Sequence, residues 1–170
     1  ETEDKMLKLN DTVLYGTTGV CTVSNIEEKK IGRVTRKYYV LKPVAQSSST
    51  IFVPADNDAL LSKIRDVLAA DEVKTLLEKS KTEEGLWIEN DDERKNAYNE
   101  MIVSGDRLGY LRILKALKNH QNDLSTKGKR LHLVDERIMK EAQRLIFDEF
   151  SYALNMTYEE VTDFLKEQLQ

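Results

Sequence analysis

Leu9-Asn10-Asp11-Thr12-Val13-Leu14-Tyr15-Gly16-Thr17-Thr18-Gly19-Val20-Cys21-Thr22-Val23 decides how the first part of the chain folds. Thr12-Val13-Leu14-Tyr15 and Val20-Cys21-Thr22-Val23 are short apolar runs rich in β-formers, and residues 16–19 supply a turn between them. Asn25-Ile26 extends the second run. Working outward, Lys37-Tyr38-Tyr39-Val40-Leu41 reads as a third strand and Thr50-Ile51-Phe52-Val53 as a fourth, with turns at Gly32 and at residues 46–49. Strands this close in sequence must pair antiparallel, because parallel pairing needs a long crossover. Residues 56–62 have room for one or two helical turns, and residues 64–67 for an edge strand. The expectation is a small, strongly bent antiparallel sheet or partly open barrel.

The hydrophobic period changes near residue 68, which sets two expected domains, 6–68 and 69–170. Both prolines, Pro43 and Pro54, lie before the change. Residues 70–79 place Val73, Leu76 and Leu77 on one helical face. Gly85-Leu86-Trp87-Ile88 interrupts that helix. Residues 91–103 form the next, with Asn90 or Asp91 as N-cap. Leu108, Leu111, Leu114 and Leu117 recur at helical spacing across 107–119. Residues 121–130 are polar and read as a loop. Residues 134–154 predict the longest helix, with Ile138, Ala142, Leu145, Phe150 and Ala153 on its apolar stripe. Thr157 and Glu160 make a capping box for a last helix carrying Val161, Phe164, Leu165 and Leu169. The fold class is α+β in two domains, the second an all-α bundle of about five helices.

A chain of 170 residues, 40% hydrophobic and 33% charged, has enough apolar material for two small cores. Its net charge of −4 argues against a generally basic nucleic-acid coat protein. Cys21 is the only cysteine, so no intramolecular disulfide forms and a reducing, cytoplasmic setting is expected. No apolar run approaches the roughly 20 residues of a membrane span. Residues 1–5 are charged, unlike a secretion signal, and read as preceding a native start at Met6.

No catalytic constellation stands out: there is no P-loop, no dinucleotide-binding glycine pattern and no G-x-S-x-G. His120 and His132 lack partners at metal-ligand spacing, and Cys21 reads as a small strand hydrophobe. No enzyme activity, cofactor or metal is expected. The basic residues, however, are unevenly placed. Residues 107–144 hold ten Lys or Arg against four acids, whereas residues 71–93 hold nine acids against three Lys. Lys127, Lys129 and Arg130 cluster, and Arg137, Lys140 and Arg144 follow at one-turn spacing, so they share a helix face. Such a stripe suits DNA phosphates, and equally an ordinary solvated face. Trp87, the only tryptophan, is either an anchor docking its linker on the bundle or an apolar wedge for a base step.

The opening Leu9-to-Val20 run resembles the CarD family, whose β-domain begins hydrophobic-G-D-x-V-V-Y-P-x-x-G-V/A. Ile26-Glu27, Ile31-Gly32 and Tyr38-Tyr39-Val40-Leu41-Lys42 are similar to its next strands, and Thr50-Ile51-Phe52-Val53-Pro54 to its closing T-V-x-V-P. Transcription-repair coupling helicases share that domain. The helical half, with Ser104-Gly105-Asp106 and Asp135-Glu136-Arg137-Ile138-Met139-Lys140-Glu141-Ala142, resembles stand-alone CarD proteins. Gly16 departs from the pattern's Pro, and Phe52 stands where some members carry an arginine.

The resemblance implies a Tudor-like domain that pairs a strand edge with the β subunit of bacterial RNA polymerase. It also implies a helical domain that contacts promoter DNA at the upstream edge of the transcription bubble and stabilises the open complex. The polymerase-binding residues would be Ile26, Lys29, Ile31, Ile51 and Phe52. The DNA-contacting residues would be Trp87, Arg94, Lys127, Lys129, Arg130, Arg137 and Lys140. The expected protein is a monomer held near the nucleoid by polymerase. A polymerase-binding adaptor without DNA contact is the alternative.

Overall fold

The computed structural model describes residues 6–168; residues 1–5, Leu169 and Gln170 lie outside it. The chain divides into two compact units, one ending at Val67 and one starting at Leu68.

Among the described residues the first unit is one antiparallel sheet of five strands: β1 (Thr12–Tyr15), β2 (Gly19–Ile31), β3 (Val34–Pro43), β4 (Ile51–Pro54) and β5 (Ile64–Asp66). Their order is β4-β3-β2-β1-β5, so β4 and β5 are the edges. A single turn of helix, α1 (Asp58–Leu61), is capped by Asn57, whose side chain accepts from the Leu60 N–H. Val13, Cys21, Val23, Tyr39, Leu41 and Val53 form the buried core on one face.

β2 and β3 run longer than the apolar runs suggest. They pair as far as Ile31↔Val34, whereas β1 reaches only Thr22 and β4 only Tyr38. The far half of the hairpin is therefore a two-stranded arm. Its residues are polar, so hydrophobic alternation gave no signal of it; the chain pairs there by continuing the β2–β3 ladder. The register shifts between Val23 and Asn25. One extra residue in a strand reverses which side chains face inward. Val23 faces the core before this bulge and Ile26 after it, both on the side of Leu41 and Tyr39. The Ser24 hydroxyl donates to the Val40 carbonyl at 3.2 Å and pins the bulge.

Among the described residues the second unit has five helices: α2 (Ala70–Thr82), α3 (Asp91–Ser104), α4 (Arg107–Thr126), α5 (Leu133–Leu154) and α6 (Tyr158–Gln168). Asn90 caps α3 by accepting from Asp92 and Glu93, each at 3.0 Å. Asp106 caps α4 through Gly109. Thr157 and Glu160 bond each other's backbone N–H reciprocally, the expected capping box. The core joins all five helices through Leu77, Tyr98, Ile113, Leu117, Phe150 and Val161, each essentially without solvent contact.

Residues 121–126 correct the expected loop: they continue α4 to Thr126. Their polarity marks a solvated surface, and nothing in them breaks a helix. The Ser125 and Thr126 hydroxyls bond back to Asn122 and Asp123 carbonyls. Termination comes at Gly128, whose φ of 68° lets the Lys129 N–H reach the Leu124 carbonyl at 2.8 Å.

Candidate functional site

In the first unit the five candidate residues fall on two faces. Ile26 and Ile51 turn inward and pack half-buried against the core. Lys29, Ile31 and Phe52 share the outer face. There the Lys29 ammonium lies 3.9 Å from the centre of the Phe52 ring, and Tyr38 meets Phe52 edge-on at 6.4 Å. Arg36 joins this face and grips Asp56 with its Nε–H at 2.9 Å. Phe52 is 43% exposed, and Ile31 and Val34 at the arm's tip are 64% and 65% exposed. The outer face thus offers an aromatic pair, flanking cations and an apolar tip, close to the open edge of β4.

In the second unit, Trp87 is placed by the segment between α2 and α3, which is strapped along α4. The Leu86 N–H donates to the Arg112 carbonyl at 3.1 Å. In return Arg112 and Lys115 donate to the carbonyls of Glu84 and Glu83. Gly85 permits the close approach, since a Cβ there would lie 2.9 Å from the Ala116 nitrogen. The Trp87 indole stacks on His120 with centroids 4.2 Å apart, and the Arg94 guanidinium lies 4.6 Å from its centre. Its Nε1–H donates to Glu89 at 2.9 Å. At 36% exposure the indole is docked on one side and open on the other.

Arg94 corrects the expected DNA-contact set. It is 2% exposed, and its guanidinium hydrogens go to Asp135, Asp91 and the Ile88 and Glu89 carbonyls. Nothing remains to bind a phosphate. Hydrogen bonding to Asp135 raises the Arg94 pKa further above its ordinary value, and the same group lowers that of exposed Asp91. Its work is to tie the Trp87 segment to the first turn of α5. Residue spacing carries no sign of this, because Asp135 lies 41 positions from Arg94 in the chain.

The basic residues reach the same end of the bundle, where α4 stops and α5 begins. Lys127, Lys129, Arg130 and Arg137 are exposed and have no carboxylate partner among the described residues. Lys140 pairs with Glu136 at 3.0 Å and Arg144 with Glu141 at 2.8 Å, so the helical part of the stripe is partly neutralised. Leu133 and Val134, unremarked in the sequence, stand exposed beside the basic loop. Two apolar residues outside the period of the α5 core stripe were the available signal. Among the described residues no group of His, Cys, Asp or Glu is arranged to hold a metal, and no helix is long and apolar enough to cross a membrane.

The first unit is thus an open-edged sheet with a charged aromatic face, and the second a separately cored helical bundle with a basic end. Residues 7–65 match the family model of the CarD-like/TRCF RID domain, the RNA polymerase-interacting domain of CarD-like proteins. The matched stretch ends within β5, and the helical unit lies outside it.

Proposed function

We propose that this chain is a transcription factor that docks on the β subunit of bacterial RNA polymerase through its first unit. Its second unit then touches promoter DNA at the upstream edge of the bubble and stabilises the open complex. The observation that carries the reading is the RID match on a sheet whose edge strand β4 is unpaired on one side among the described residues. Edge strands accept a partner strand through main-chain hydrogen bonds, and the Phe52–Lys29–Ile31 face beside that edge supplies side-chain selectivity. At the basic end of the bundle, Lys127, Lys129, Arg130 and Arg137 suit phosphates. The open side of Trp87 suits an unstacked base.

A second reading, the adaptor without DNA contact, is favoured by the acids of residues 68–170, which outnumber the cations 21 to 16. Two measurements separate them. Capture of core polymerase by residues 6–68 tests the first contact. Binding of the full chain to forked promoter DNA across a salt series tests the second. Polymerase capture with no salt-dependent DNA binding selects the adaptor; loss of polymerase capture removes both readings.

A further inference from the structure

A cavity of about 650 Å³ opens on the helical unit among α2, α4, α5 and α6. Its floor is Leu111, Leu114, Met139, Phe147 and Leu165, and three of these, Leu111, Met139 and Leu165, are buried members of the main core. Its ionisable lining is Lys81, Arg112, Lys115, Lys118 and Lys166, with no carboxylate among the described residues. That is the reverse of the acidic surplus of the unit around it. Lys81 is held by Glu78, and Arg112 and Lys115 by the backbone of the strapped segment. Lys118 and Lys166 are exposed and have no ion-pair partner among the described residues.

We propose that this cavity binds a free, single-chain amphiphile with an anionic head, a phosphate or carboxylate on an alkyl tail. The tail lies on the apolar floor and the head meets Lys118 and Lys166. The volume is within the roughly 300–1,000 Å³ of small-molecule sites, which pair an apolar lining with a few placed polar groups. Along α4 the lining runs from Leu111 to Asn122, about 16 Å at the helical rise. A hydrocarbon tail of that length has apolar side chains to lie on, and the cations of the lining select an anionic head. Met139 is unbranched and adapts to such a guest.

Calorimetric titration of the full chain with dodecyl phosphate, kept below its critical micelle concentration, tests the site. Saturable one-to-one binding is expected. Affinity should rise about fourfold per methylene from octyl to dodecyl phosphate, while inorganic phosphate and dodecyltrimethylammonium bind far more weakly. Lys118→Glu with Lys166→Glu should weaken binding at least tenfold with thermal unfolding unchanged. Lys118→Gln with Lys166→Gln serves if the reversal disturbs folding. Gln143→Trp, which fills the cavity from α5, should block it. The proposal is overturned by no saturable binding, by equal binding of the cationic detergent, or by binding only to phosphatidylglycerol vesicles. An acidic amphipathic peptide that binds there where dodecyl phosphate does not also overturns it.

Discussion

The Arg94 guanidinium clasps both carboxylate oxygens of Asp135, at 3.0 and 2.8 Å, across 41 positions of chain. Both side chains are 3% exposed. A buried pair of this kind gives limited net stability against an apolar replacement, but removing one partner strands the other charge. Asp135→Ala should therefore cost about 3–5 kcal/mol, and Arg94→Met with Asp135→Leu should recover much of it. Denaturant unfolding of the two variants beside the parent chain checks this. Equal loss in the single and double variants would contradict it.

Tyr98 is fully buried and its hydroxyl donates to the Leu86 carbonyl. Burial pushes its pKa up to about 12 from an ordinary 10.0. The folded protein thus keeps a proton that the unfolded chain loses from pH 10 upward. The stabilisation is complete below pH 10 and falls as pH rises toward 12. Thermal unfolding between these limits should show that fall, and Tyr98→Phe should flatten it.

Truncating Trp87 separates its two roles. As a wedge, Trp87→Ala should shorten open-complex lifetime, about tenfold for each 1.4 kcal/mol lost, with polymerase binding intact. As an anchor alone it should lower the melting temperature of the helical unit and leave open-complex decay unchanged. Both measurements belong on the same variant.

Replacing Lys127, Lys129 and Arg130 with Ala should weaken fork-DNA binding about equally across sequences. Each lost phosphate contact removes about 0.9 from the slope of log affinity against log salt. An unaltered slope would leave these residues as solvated surface.

Phe52→Glu should reduce polymerase capture at least tenfold while the sheet remains folded, because Phe52 points outward and is backed by Lys29. Ile51→Pro acts on the ladder instead. Ile51 is opposite Leu41, and proline removes a donor from β4. Normal capture by both variants would move the docking surface elsewhere.

Strand positions were legible because Val, Ile, Thr and Tyr cluster between turns, and two helix starts because Asn90 and Thr157 carry recognisable caps. The polar arm at residues 27–37 and the polar end of α4 were not, since hydrophobic periodicity is silent where neither face is buried. The site divided likewise. Charge spacing located the exposed basic group, but a guanidinium in a core and one on a surface are the same letter. Arg94 is distinguished from Arg130 only by Asp135, which is near in space and remote in sequence.

The bulge at Ser24 acts as a phase slip in the strand's alternation. Below it odd-numbered side chains look inward; beyond it even-numbered ones do. Deleting Ser24 would remove the slip without exchanging the arm's two rows: Asn25 would still look outward opposite Val40 and Ile26 inward opposite Tyr39. What the missing serine would take away is the local bend and its bond to the Val40 carbonyl. The slip thus sets the course of the arm, and the outward row of Glu27, Lys29 and Ile31 is carried along with it.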